Sequence, residues 1–159
     1  MIETVNITKT ICVTPSIMDE NMEKTISSLI RQKYEKVCDE KDGLILEIND
    51  ILDIQNRISK DSCHINVTVT MNVNRVQPQK GTVFTFQPTL IIAKGIFGKI
   101  FQSISLFIPD TYLSPEWVYK NDTFVHSTTQ QVITKQTDVT VSVVDMKFNT
   151  TKYNCICKI

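Results

Sequence analysis

Ile65-Asn66-Val67-Thr68-Val69-Thr70-Met71-Asn72-Val73 alternates apolar and polar side chains without a break, and the chain then runs through Val76-Gln77-Pro78-Gln79-Lys80-Gly81. A strand turns successive side chains to opposite faces, so a strict period of two predicts a strand with one face in a core and the other in water. His64 falls on the polar face at the strand's start, the position of a solvated histidine. Proline removes a ladder donor and glycine permits a sharp change of direction, so the segment after the strand closes one sheet and opens another unit. These signals predict two domains, 1–78 and 79–159.

Composition points the same way. The 159 residues hold 21 Ile, 15 Val and 19 Thr against one Ala and seven Leu, which favours strands over helices. Lys and Arg number 17, as do Asp and Glu, so there is no net positive field to drive avid, sequence-blind nucleic-acid binding. The longest apolar stretch, Thr89 to Phe101, is broken by Lys94 and Lys99 and falls short of the roughly 20 residues of a spanning helix. The start of the chain lacks the basic and apolar regions of a secretory signal, so an intracellular protein with reduced thiols is expected. Cys12, Cys38, Cys63, Cys155 and Cys157 offer no pair of CxxC units and read as buried or half-buried thiols rather than metal ligands.

Upstream of the alternating strand, Thr8 to Val13 reads as a short strand. Ser16-Ile17-Met18-Asp19 has the spacing of a capping box, and Met18, Met22, Ile26, Leu29, Ile30 and Val37 recur at three and four residues, predicting a helix from about 17 to 37. After Gly43, Leu44 to Ile48 reads as a strand and Asp50 to Ile54 as extended chain. Gln55 to Ser62 is polar apart from Ile58 and reads as a loop. Downstream, strand-like runs fall at 82–87, 89–93, 97–101, 105–108, 138–144 and 153–159. Five or so short strands, some merging into one bent strand, suit a small barrel. The polar segment 115–137 reads as a long connection. The fold expected is therefore α+β and mostly β: an antiparallel sheet with one helix, then a barrel.

No catalytic constellation is visible. His64 and His126 stand apart from any nucleophile motif, and Gly95-Ile96-Phe97-Gly98 is too short and apolar to cradle a phosphate. Asp50 and Asp53, three apart in extended chain, are expected on opposite faces. Phe84, Phe86, Phe97, Phe101 and Phe107, interleaved with Lys80, Lys94 and Lys99, are residue types with which a small barrel stacks bases and follows a phosphate backbone. Strand-borne phenylalanines also build cores, so both readings stand.

The order of these elements resembles a known family, the stalk subunits of multisubunit RNA polymerases, represented by the seventh subunit of eukaryotic RNA polymerase II and by its archaeal counterpart. The resemblance rests on Val13-Thr14-Pro15-Ser16 before the helix, Gly43-Leu44-Ile45-Leu46 after it, Ile51-Leu52-Asp53-Ile54 before the polar loop, and the run into Val76-Gln77-Pro78-Gln79-Lys80-Gly81. It continues through Lys94-Gly95-Ile96-Phe97-Gly98, Ser105-Leu106-Phe107-Ile108-Pro109, Val139 to Val143 and Tyr153 to Cys157. Thr82 stands where the family commonly has an acidic residue, and Asn56-Arg57 stand in the polar loop in place of its usual glycine. A divergent member is therefore expected, with a large DNA virus as one candidate source beside a cellular one.

The resemblance implies an N-terminal tip domain that docks on the polymerase core beside the clamp and a C-terminal S1/OB-type barrel near the RNA exit path. It implies docking through Pro15, Ser16, Asn56, Arg57, Ile58 and Ser59, and weak contact with nascent single-stranded RNA through Lys94, Phe97 and Lys99. The partners implied are the polymerase core subunits, with a subunit-four-like stalk protein as a further candidate. No cofactor, metal, membrane contact or catalytic activity is expected of the chain itself. The implied location is intracellular: the nucleus for a cellular eukaryotic protein, the host cytoplasm and virion for a viral one. Two other readings compete, a free-standing OB-fold nucleic-acid-binding protein and a structural protein without nucleic-acid contact.

Overall fold

A computed structural model describes residues 2–17, 20–58 and 64–159, and the chain divides into two units, Ile2–Gln77 and Pro78–Ile159. In the first unit the elements are β1 (Ile2–Val13), a 3-10 turn at Pro15–Ile17, α1 (Met22–Tyr34), β2 (Cys38–Asp39), β3 (Gly43–Ile58) and β4 (Ile65–Val76). The four strands form one antiparallel sheet in the order β1-β4-β3-β2. Val67, Val69, Met71 and Val73 of the alternating strand are wholly buried, together with Ile26 and Ile30 of α1 and Ile7 and Ile11 of β1. Burying each such side chain contributes about 1.5–3 kcal/mol. The opposite face is a polar ladder: Thr4 donates to Asn74, Asn72 donates to Asn6, and Thr8 and Thr10 pair with Thr70 and Thr68.

β3 departs from the sequence expectation. Its pairing with β4 slips after Ile45, Ile48 and Ile51, leaving Leu46, Asn49 and Leu52 as extra residues. Each bulge resets the alternation. Ile45, Ile48, Ile51 and Ile54 therefore all face the core. Glu47, Asp50 and Asp53 lie opposite Asn74, Asn72 and Thr70 on the polar face. Asp50 and Asp53 thus share a face, contrary to the expectation of opposite ones. The strand also continues through Gln55, Asn56, Arg57 and Ile58, paired with Thr68, Val67, Asn66 and Ile65, so this half of the expected loop is strand, and Ser59 to Ser62 lie outside the described residues. The helix is shorter than the expected 17–37. It follows Asn21, whose side chain makes no capping bond, while Ser16 lies in the 3-10 turn beside Thr14. Met18 and Asp19 of the expected capping box lie outside the described residues.

The second unit holds β5 (Val83–Phe86), β6 (Leu90–Ile92), β7 (Gly95–Ile100), β8 (Ile104–Pro109), β9 (Trp117–Lys120), β10 (Thr123–His126), β11 (Val132–Ile133), β12 (Val139–Asn149) and β13 (Lys152–Lys158). Six of these form a sheet in the order β5-β12-β13-β8-β7-β6, antiparallel throughout except for the parallel pair β13–β8. Its two edge strands, β5 and β6, are consecutive in the chain, so one bent passage supplies both edges and the sheet curls into a half-barrel of OB type. Gly98 permits the curl, because a Cβ there would collide with the buried Phe86 ring. Phe84 and Phe86 belong to the core of this unit.

Between β8 and β12 the expected long connection holds a three-stranded sheet, β11-β10-β9, with Phe124 and Ile133 buried on one face. The β9–β10 hairpin turns at Asn121-Asp122, both at positive φ, which is the chemistry such a turn demands. Of the thiols, Cys38, Cys155 and Cys157 are buried and Cys12 is exposed, against the expectation for that residue. Cys63 lies outside the described residues. Among the described residues no helix is long and apolar enough to cross a membrane.

Candidate nucleic-acid interface

Cross-strand register assembles one face of the half-barrel. Leu90, Phe97, Phe107 and Ile156 are successive partners across β6, β7, β8 and β13, and Asp145 of β12 follows opposite Ile156. A second row runs beside it: Lys99, Ser105, Asn154 and Lys147. Their chain neighbours Ile96, Leu106 and Cys155 are buried, so the two rows occupy the opposite, accessible face. With strands roughly 4.8 Å apart, the apolar row spans about 14 Å. The Phe97 and Phe107 rings stack at 4.3 Å between centroids and 20° between planes. Apart from Leu90, the residues of the two rows line a groove of about 570 Å³.

Such a groove offers π-faces and aliphatic surface at its floor and one lysine at each end of its polar row. An aromatic platform of this kind stacks bases at about 1–3 kcal/mol each, whatever their identity, while flanking ammonium groups meet phosphates. Beneath the floor the Cys155 thiol is pushed up to about 12 by burial and then by the nearby Cys157, so it offers no nucleophile at neutral pH.

Of the three residues expected to meet RNA, the structure brings two together. Phe97 and Lys99 line the groove, whereas Lys94 sits in the β6–β7 turn at the other end of β7, where its carbonyl accepts the Asp110 N–H. The sequence does not mark Lys147 because β12 carries a bulge between Val143 and Asp145, nor Ile156 because it reaches this face through the parallel pairing of β13 with β8. The adjacent apolar pair Val143-Val144, which breaks the alternation of Val139, Val141 and Val143, is the signal that marks it.

The residues expected to dock on a polymerase gather at one end of the N-terminal sheet. Val13 of β1 and Ile58 of β3 both pair with Ile65, so the turn bearing Pro15 and Ser16 follows β1 at the end where β3 carries Asn56 and Arg57. Asn56 and Arg57 face opposite ways: Asn56 donates to the Met22 sulfur on the helix side, and Arg57 lies opposite Asn66 on the polar face. The backbone of Ile58 ends β3, and Ser59 lies outside the described residues.

One chain thus carries a helix-backed antiparallel sheet and an OB-type half-barrel with an aromatic groove. Residues 8–65, which span β1, α1, β2, β3 and the start of β4, match the family model for the SHS2 domain found in the N terminus of Rpb7p/Rpc25p/MJ0397. The N-terminal unit is thus similar to the SHS2 domain of the Rpb7 type. No curated protein matches the chain.

Proposed function

We propose that this chain is a non-catalytic stalk subunit of a DNA-directed RNA polymerase, held on the enzyme by its N-terminal domain and guiding nascent RNA over its C-terminal half-barrel. The observation that carries the reading is the Rpb7-type SHS2 match over residues 8–65, followed in the same chain by an OB-type unit. The end of the sheet bearing Pro15, Ser16, Asn56, Arg57 and the backbone of Ile58 is the docking surface, acting as a wedge beside the clamp. Transcript contact falls on Phe97, Phe107, Lys99 and Lys147. Zero net charge suits that division of labour. A tethered groove meets emerging RNA at high effective concentration, so little intrinsic affinity is needed. The chain contributes no step of nucleotide addition, and it works wherever its polymerase does, with a subunit-four-like protein as its candidate stalk partner.

Affinity purification of the native protein tests this. Large polymerase subunits should co-purify with it. Recovery of ribosomes, or of the chain alone, would sink the reading in favour of a free-standing OB-fold or structural protein.

A further inference from the structure

β1 forms one edge of the N-terminal sheet and is paired only on its β4 side. Over its 12 residues the register with β4 is unbroken, it holds no proline, and among the described residues no backbone hydrogen bond is made on its other side. Such an edge presents a row of open N–H and C=O groups, a template for a further strand, and proteins ordinarily blunt it by shortness, bulges, proline or charge. The rest of this molecule does so. β2, at the far edge of the same sheet, is two residues long. Beyond it β3 is bulged three times, and its Ile45 and Ile48 N–H groups donate to the Val37 carbonyl and the Glu35 carboxylate. The edges of the other two sheets, β5, β6, β9 and β11, have at most four residues. Among the described edges only β1 is long and regular. Lys9, the one charge that could guard its middle, is neutralised in place, its ammonium lying against the carboxylates of Asp39 and Asp42.

The sequence of β1 says which strand fits. Laid antiparallel to itself about Asn6, it sets Asn6 against Asn6, Thr4 against Thr8, Val5 against Ile7 and Glu3 against Lys9. Positions of equal parity meet, so polar-face residues face polar-face residues and helix-side residues face their like. Threonine pairs, β-branched apolar pairs and opposite charges are the cross-strand combinations that stabilise a sheet, and no like charges meet. This pairing repeats what β1 already does on its other side, where Asn6 meets Asn72, Thr8 meets Thr70 and Thr10 meets Thr68. Val5, only partly buried in one copy, gains cover from Ile7 of the other. We propose that β1 is a self-association edge, to which a second copy of this chain adds its own β1 antiparallel, centred on Asn6. Ile2 to Thr10 then pair with Thr10 to Ile2 through roughly eight to ten backbone hydrogen bonds, an isologous contact closed by one two-fold axis. Cys12 and Val13 lie beyond the paired stretch. The end of the sheet bearing Pro15, Ser16, Asn56 and Arg57 therefore stays open, and the inference stands apart from the polymerase reading.

Sedimentation of the full chain under reducing conditions tests this. The wild type should pass from monomer to dimer as its concentration rises through the micromolar range, and a monomer at every concentration would overturn the proposal. Thr4→Lys with Thr8→Lys sets lysine against lysine twice and should weaken dimerisation by roughly tenfold, whereas Thr4→Lys with Thr8→Glu sets opposite charges there and should restore it. Both threonines are exposed on the polar face, so these variants should keep the monomer fold, which circular dichroism checks. A dimer that ignores this charge pattern would use another surface, and the proposal would fall. Asn6→Cys gives a second measurement that needs no change of charge. Its thiols meet at the two-fold axis, while those of the exposed Cys12 stand roughly 40 Å apart at the rise of a strand. With oxidised glutathione in place of the reductant, Asn6→Cys should form a disulfide-linked dimer much faster than the wild type. Equal rates would place residue 6 away from the axis and overturn the proposal.

Discussion

Cys155 and Cys157 face inward from β13, side by side at alternate positions, and burial holds both thiols protonated well beyond their ordinary range. Cys155 is pushed up to about 12, by burial first and Cys157 second, and Cys157 to about 11 by burial. Both folded pKa values lie above the unfolded value of 9.0, so the unfolded chain loses these protons first as pH rises. Their contribution is fully present below pH 9.0 and drains away as pH climbs through the folded values of about 11 and 12. Urea unfolding followed at Trp117 should show falling stability across that window. Cys155→Ala should lower stability at pH 7 through the space it leaves, yet show a shallower alkaline decline; an unchanged slope would mean the thiol is already solvated in the folded protein.

At the scale of elements, β3 and β4 are neighbours that respond oppositely to the loss of a residue. In β3 the unit Ile-x-acid repeats, from Ile45-Leu46-Glu47 through Ile48-Asn49-Asp50 to Ile51-Leu52-Asp53, with the middle residue unpaired each time. Deleting Leu52 leaves Ile51 inward, Asp53 outward and Ile54 inward, a regular alternation in the same register. β4 has no spare residue in the pairing. Deleting Thr70 from it sends Met71 and Val73, or else Val69 and Val67, to the polar face, because a one-residue slip reverses every side chain beyond it. The Leu52 deletion should therefore fold with a loss of about 1–2 kcal/mol, the ordinary scale of a single change, and the Thr70 deletion should abolish the cooperative transition seen by circular dichroism. Equal tolerance of the two would mean that β4 too can absorb a bulge.

The same contrast explains what could be read in advance. Period two in β4 is unambiguous, whereas period three in β3 matches neither strand nor helix, so its second half passed for loose extended chain and its acids for residues on opposite faces. The three-stranded insertion was hidden by polarity, although Asn121-Asp122 between Trp117-Val118-Tyr119 and Phe124-Val125 is a hairpin signal in plain view. Phe97 and Lys99 could be named from one strand. Lys147 and Ile156 join them only through the β12 bulge and the parallel β8–β13 pairing, which no local pattern announces.

For the whole molecule, the two proposed tasks fall on different units, and that separation is what mutation should expose. The residues proposed to dock lie within Ile2–Gln77 and the groove within Pro78–Ile159. Asn56→Ala with Arg57→Ala removes two exposed side chains from the end of the N-terminal sheet without touching its core. Co-purification of polymerase subunits should weaken by about 2 kcal/mol, the scale of a hot-spot truncation, while affinity for oligouridylate stays as it was. Lys99→Glu with Lys147→Glu should do the reverse, because it places carboxylates at the two ends of the polar row and leaves the N-terminal sheet intact. Isolated wild-type protein, lacking any broad basic field, should bind oligouridylate no tighter than micromolar. Its log-log salt slope should be about −1.4, from two phosphate contacts at roughly 0.7 each on a single strand. A steep slope with tight binding would point to a dedicated RNA-binding protein. Loss of polymerase association from the lysine pair would show that the half-barrel also docks, and the division of tasks between the units would have to be abandoned.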